Sequence, residues 1–384
     1  MAEKKKQHFV PKSFMKNFAD EEKKFSILHV KDGKLYEKIP YKDQCYKNYF
    51  YGEDCEWEEK LNIMETQWAS VFRNVIEGRK LLDNDKILLK QFAVYQRQRT
   101  LAEGNYKKAE KIEVLREIAY MYCANKGITY TDELEKIFLQ LAEEEITPAK
   151  NLEIALLVES MVKDLGTLIV KYDTQAKLIA SDAPVISINA FENHALGYAC
   201  MGLILFFPIS RDTLVVLYDK GVYTHFKNFD EIILQDEQEV FHLNIMQYIS
   251  AENIIFAYDK KDLLFIDEYV KDERKRNAER PKLATLGPDN GKMLIMNERR
   301  IIHNYEFSFA RLSHNIRKIP YSCREAVPRK WDKEWQEKLR IKMDSLPQII
   351  RMTNMEEKMG LTSKEFKRGC KNMIIFAEQY WRQN

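Results

Sequence analysis

A change of hydrophobic period at Gly166 constrains this 384-residue chain more than any other feature. From Glu56 to Leu165 apolar side chains recur every three or four positions, the spacing of helices with one buried stripe. After Gly166 come short β-prone runs at 167–172, 177–180, 185–188, 203–207 and 213–218, with turn residues between them. A helical half followed by a block of strands predicts an α+β fold. Its central sheet is expected to be mixed or antiparallel, with about five strands and the helical region packed on it.

The elements follow residue by residue. Pro11 opens a short helix carrying Phe14 and Phe18, and Phe25–Val30 and Leu35–Tyr36 flank Lys31-Asp-Gly-Lys34, a hairpin signal. Leu61, Met64, Trp68, Val71 and Val75 form one stripe, with Glu65 beside it. Asp83 and Asp85 supply cap candidates for a second helix, in which Gln96 and Arg99 extend the face of Leu89 and Phe92. Thr131 and Thr147-Pro148 start two more helices. Glu239–Ser250 reads as a helix and Ile254–Tyr258 as a strand. The expected organisation is a core over residues 1–290, divided into an N-terminal segment and hairpin (1–55), a helical region (56–166) and a sheet region (167–290). A C-terminal helical bundle over 291–384 is expected to start helices at Asp332, Ser345 and Thr362.

Composition excludes several classes. Apolar residues at 45% and aromatics at 12% are those of a globular chain, and the net charge of +2 does not by itself point to a nucleic-acid partner. No run reaches the roughly 20 apolar residues of a bilayer span, and Met1–Lys6 lacks the apolar stretch of a signal peptide, so a cytoplasmic location without a membrane is expected. The six cysteines show no CxxC or zinc-finger spacing and read as reduced thiols. Phosphate-binding GxxxxGK[ST] and GxGxxG loops, HExxH and the GxSxG elbow are all absent.

What remains is a dispersed polar set: His8, Glu65, Gln96, Arg99, Asp182 and Asn244. Asp182 sits in a Ser-Asp-Ala-Pro break between two β-prone runs, where a fixed carboxylate can do chemistry. His8 is a candidate general acid or base. Asp182 would orient it, or hold Mg²⁺ or Mn²⁺ together with Glu65. Gln96 and Arg99, with Asn244, would grip substrate oxygens. The bland alternative is a buried network that pins the N-terminal segment to the sheet.

In order along the chain stand His8-Phe-Val-Pro11 with Phe18, Gln96-Arg-Gln-Arg99-Thr100, Ser181-Asp-Ala-Pro184, Phe207-Pro-Ile-Ser210 and Asn244. This series resembles the domain of unknown function 4238 family, whose pattern is HxxPxxxLxxF, QxxRT, SDxP, PLS and a late Asn. Met15 and Ile209 stand where that pattern has Leu. The resemblance covers roughly residues 7–259. It implies a bacterial protein associated with anti-phage defence loci, and supplies no reaction. Two functions are therefore carried forward. The first is an effector hydrolase, such as a nuclease, acting on nucleic acid or nucleotides. The second is a non-catalytic sensor or binding protein of a defence system. In either case the C-terminal helices are a candidate surface for a protein partner or for homo-oligomerisation.

Overall fold

The N-terminal segment and the hairpin form as their residues suggest. In the computed structural model, β1 (Lys6–His8) leads through Pro11 into α1 (Lys12–Met15), and β2 (Lys24–His29) turns back as β3 (Leu35–Pro40). The hairpin turn depends on Gly33, which takes a positive φ of 70° and donates its N–H to His29 O at 2.8 Å. Strand β4 (Tyr46–Asn48) then pairs antiparallel with β1, placing His8 opposite Tyr46. The structure describes residues 5–312 apart from 128, 190–196, 227, 265, 267–268, 271–282, 287–292 and 297–304.

Five helices follow: α2 (Glu56–Ile76), α3 (Asp83–Gln98), α4 (Leu101–Lys126), α5 (Asp132–Glu145) and α6 (Pro148–Val158). In α2 the expected stripe is buried at Leu61, Trp68, Val71 and Val75. Helix α3 starts at Asp83 itself. Its orphan N-terminal group is satisfied when Leu82 donates its N–H to Asp85 Oδ2 at 2.9 Å. Thr147 caps α6 by accepting from Lys150 N, with Pro148 in the first turn.

Strands β5 (Gly166–Tyr172), β6 (Ala180–Ser181), β7 (Ile186–Asn189), β8 (Leu203–Pro208), β9 (Thr213–Tyr218) and β10 (Glu231–Leu234) precede α7 (Glu237–Ser250) and β11 (Ile254–Ala257). A separate antiparallel ribbon joins β12 (Leu283–Leu286) and β13 (Met293–Met296). The fold is α+β, as the period change indicates. One sheet has the order β10-β5-β9-β8-β7, mixed because β10 runs parallel to β5; a second, antiparallel, has the order β3-β2-β11-β6. Two details differ from the sequence reading. The run at 177–180 leaves the main sheet, so the Ser181–Pro184 break is a crossover between sheets. The fifth strand is β10, whose alternating exposure suits an edge. Gly166 is required where the period changes, because a Cβ there would lie 2.5 Å from the Tyr218 ring.

Both faces of the main sheet are covered. One face, with Leu205, Phe207, Val215 and Leu217, shares a core with Phe14, Trp68, Phe72 and Phe92 of the helical layer. The other, with Val170, Ile204, Phe206 and Val216, packs on Val240, Leu243 and Met246 of α7. The opposite side of α7, through Ile245, Tyr248 and Ile249, packs on Leu28, Ile255 and Ala257 of the second sheet. Helix α7 is therefore sandwiched between sheets, and from Leu243 to Ser250 every residue is buried.

Residues 305–312 add a clasp. Phe307 and Phe309 stack on each other with centroids 5.2 Å apart, and Phe206 lies within 5.8 Å of both. Buried Glu239 fixes this segment by accepting from Ser308 N (2.8 Å), Ser308 Oγ (2.9 Å) and Tyr172 OH (2.6 Å). The clasp belongs to the same compact unit as the two sheets. The expected C-terminal helices lie outside the described residues. No helix among the described residues is long and apolar enough to cross a membrane. Phe309→Ala should lower stability by about 3 kcal/mol, read from the shift in urea midpoint, because it empties a closed aromatic contact.

Candidate functional site

Arg99, at the end of α3, is the node of the first polar cluster and has no exposed surface. A guanidinium stays charged when buried, so its donors need acceptors. Its Nε donates to Gln96 Oε1 at 3.0 Å and to Phe9 O at 3.2 Å, and its Nη1 donates to Glu65 Oε1 at 2.8 Å. Gln96 Nε2 donates to the same Phe9 carbonyl at 2.9 Å. Arg99 Nη2 is buried with no hydrogen-bond partner among the described residues. The i, i+3 spacing of Gln96 and Arg99 puts both on one face of α3, aimed at the chain just after β1.

Glu58 lies seven residues before Glu65, on the same face of α2 two turns away. It is half-buried, and its carboxyl makes no hydrogen bond or ion pair among the described residues. Burial, with the charge of Glu65 adding to it, pushes Glu58 up to about 7 against the pull of Arg99 and Lys12. Two carboxyls on one helix face thus have opposed environments: Glu65 is bound to a guanidinium and Glu58 is not.

His8 sits beside this cluster as a pin. Its Nε2 donates to Lys42 O at 2.9 Å, and Tyr51 OH donates to the His8 carbonyl at 3.0 Å. Burial lowers the imidazole to about 4, helped by the positive charges of Lys12, Arg99 and Lys6. It is therefore neutral near pH 7, with one nitrogen occupied, which is poor placement for a proton carrier at that pH.

Asp182 belongs to a second cluster. It is 1% exposed, and its two oxygens accept separately from Glu252 N at 2.8 Å and Asn253 N at 2.9 Å. Burial raises it to about 6 despite these bonds. Around it, α7 stitches the crossover in place. Asn244 accepts from Ile179 N (3.0 Å) and donates to Lys177 O (2.8 Å). Gln247 accepts from Ser181 Oγ (2.8 Å) and donates to Pro184 O (2.9 Å), and Ser250 Oγ donates to Ala183 O (3.1 Å). The structure thus joins His8, Gln96, Arg99 and Glu65 through the Phe9 carbonyl, and keeps Asp182 and Asn244 in a separate lock. Asp182 and Glu65 do not fit a divalent ion as a pair, because backbone N–H groups occupy both oxygens of the first and Arg99 binds the second. Among the described residues no group of three or more His, Cys, Asp or Glu is placed to hold a metal.

A family model described as "Protein of unknown function (DUF4238)" matches residues 6–261. The chain belongs to this family. The matched span opens on β1, closes just after β11, and contains both clusters. The clasp at 305–312 lies beyond it. No curated protein and no solved structure matches the chain.

Sequence reasoning missed two groups within the family span. Glu58 was visible in principle, since it shares the helical spacing of Glu65. The other group adjoins the QxxRT motif. Arg97 Nη1 donates to Ser187 Oγ at 2.9 Å, Gln98 Nε2 donates to Tyr198 OH at 3.0 Å, and Lys107 bonds to Gln98 and to Asn151. These groups come from α3, α4, α6, β7 and the turn at Tyr198, so no local spacing reveals them.

The two titrating pins act on stability with opposite signs. His8, with its folded value depressed from 6.5 to about 4, contributes stability that is present above pH 6.5 and lost as pH falls through about 4. Asp182, raised from 3.8 to about 6, contributes stability present below pH 3.8 and lost as pH rises through about 6. Each slope is at most about 1.4 kcal/mol per pH unit, so in wild type they largely cancel between pH 4 and 6. His8→Gln should therefore leave stability falling as pH rises through that window, and Asp182→Asn should leave it rising. Urea titrations at a series of pH values check both.

Proposed function

We propose that this member of the family is a hydrolase acting on nucleic acid or nucleotides, working at the Glu58–Glu65 face of α2 with Arg99 behind it. One observation carries the reading: a half-buried carboxyl, without a partner among the described residues, stands two turns from a carboxylate held by a fully buried arginine. Paired acids whose environments push them apart are the usual arrangement for general acid–base hydrolysis. Glu65, oriented by its bond to Arg99, takes a proton from the attacking water as its oxygen bonds to phosphorus. Glu58 gives its proton to the leaving oxygen as that phosphorus–oxygen bond breaks. Exposed Lys12 supplies positive charge beside the phosphoryl oxygens, and buried Arg99 adds to the potential from behind Glu65. In this reading Gln96 and Arg99 position groups for catalysis, and His8, Asp182 and Asn244 hold the scaffold. The resemblance to defence-associated proteins supplies the setting, an intracellular effector acting on phage or host nucleic acid.

A second reading is a non-catalytic sensor. It is favoured by the way His8, Gln96, Asp182 and Asn244 spend their hydrogen bonds within the fold.

Labelled RNA, single-stranded DNA, duplex DNA and nucleoside triphosphates, each with and without Mg²⁺ or Mn²⁺, separate the two readings. The hydrolase reading expects cleavage by wild type, a loss of about 100-fold or more in Glu58→Gln and in Glu65→Gln, and melting of Glu58→Gln within a degree or two of wild type. Activity should also fall as pH rises through about 7, where Glu58 gives up its proton. Wild type that cuts none of these substrates, or Glu58→Gln that cuts at the wild-type rate, favours the sensor.

A further inference from the structure

The ribbon of β1 and β4 carries a concentration of charge that the near-neutral chain as a whole does not. Residues 5–12 and 41–49 contain five lysines (Lys5, Lys6, Lys12, Lys42 and Lys47) against one aspartate, Asp43, which pairs with Lys6 at 3.2 Å and leaves the other four in excess. Aromatic rings are interleaved with them. Lys6 Nζ lies 4.6 Å from the Tyr46 ring centroid, and Lys5 Nζ lies 5.8 Å from that of Tyr49, a ring left 41% exposed. The outward residues Lys5, Lys6, Lys47, Asn48 and Tyr49 include no aliphatic side chain.

The backbone here is also strained. Cys45, Tyr49 and Cys55 have positive φ values of 52°, 51° and 57°, a region that such residues rarely adopt and that tends to persist where it serves function. In this conformation Tyr49 still donates its N–H to Lys5 O at 2.9 Å, extending the ribbon by one bond while its ring stays exposed. The ribbon ends at the site described above: His8 is the last residue of β1, and the carbonyl of Phe9 is held by Gln96 and Arg99. Glu53, Asp54 and Glu56 follow in the chain and bound the basic patch.

We propose that this ribbon is the docking surface for single-stranded nucleic acid, with Lys5 and Lys47 on the phosphates and Tyr49 against the bases. It deepens the hydrolase reading, on which it rests, by naming a single-stranded substrate. Alternating cations and exposed rings suit a strand whose phosphates and base faces are both available; a duplex hides those faces. A membrane surface would call for aliphatic side chains that the ribbon does not display.

The test is fluorescence anisotropy of the full chain with a labelled oligothymidylate, a matching duplex, and vesicles of phosphatidylserine and phosphatidylcholine. The oligothymidylate should bind more tightly than the duplex, with affinity falling steeply as salt rises. Lys5→Glu/Lys47→Glu should weaken binding at least tenfold and flatten the salt slope, and Tyr49→Ala should weaken it about tenfold. Lys220→Glu, a reversal on the turn after β9, should leave affinity unchanged, and all variants should melt as wild type does. Wild-type affinity in the double lysine variant, equal loss in Lys220→Glu, or binding to vesicles without binding to the oligothymidylate overturns the assignment. Binding without cleavage keeps the ribbon and removes the hydrolase; cleavage that the ribbon variants do not slow does the reverse.

Discussion

Burying Arg99 is the constraint from which the N-terminal half follows. Guanidinium cannot neutralise itself by losing a proton, so a fully buried one must be surrounded by acceptors. The fold recruits them from three elements: the Phe9 carbonyl after β1, Gln96 on α3 and Glu65 on α2. These bonds set the position of the β1–β4 ribbon relative to the two helices. They also set apart the two carboxyls of α2: Glu65 meets Arg99, while Glu58, without a hydrogen-bond or ion-pair partner among the described residues, is pushed up by burial.

A comparable constraint governs the other half. A strand that switches sheets exposes backbone groups at the switch, in the interior, where each unpaired group costs on the order of 1–3 kcal/mol. Helix α7 lies between the two sheets and presents Asn244, Gln247 and Ser250 at every third position, a polar seam along an otherwise apolar helix. Each of them bonds to the 177–184 crossover. Asp182 completes the seam from the opposite direction by capping the turn at 252–253. The Ser-Asp-x-Pro break and the late Asn of the family pattern are thus two sides of one joint. Prolonged burial on both faces also explains why α7 carries no single apolar stripe.

Much of this was legible in the sequence, for physical reasons that differ by element. Helices α2, α3 and α6 declared themselves because one apolar face implies 3.6-residue periodicity, and the β2–β3 hairpin because Asp-Gly suits its turn. The polar residues Gln96, Arg99, Asp182 and Asn244 stood out because each interrupts an apolar pattern, and the structure buries all four. Their grouping was not legible. Whether Asp182 faces Glu65 or the 252–253 turn depends on which sheet β6 joins, a long-range choice that local spacing does not encode. The clasp was missed for the same reason: Phe307 and Phe309 alternate with polar residues in a short run and gain meaning only against Phe206.

The distribution of hydrogen bonds separates scaffold from chemistry. His8, Gln96, Asp182 and Asn244 bond to backbone groups far away in sequence, and every such bond fixes a chain segment. A group used in this way has little capacity left for a substrate, and moving it would loosen the fold. Capacity remains at Arg99 Nη2 and at the Glu58 carboxyl, one buried and one reaching solvent. Between them lies Glu65, bound on one side to the arginine and partly exposed. A buried cation meets a partly exposed carboxylate, and a second half-buried carboxyl stands two turns along the same helix face. Water can approach that second carboxyl without breaking the network that holds the first. The same network anchors the lysine-bearing ribbon through Phe9, so a ligand on the ribbon and the acids of α2 share one rigid frame.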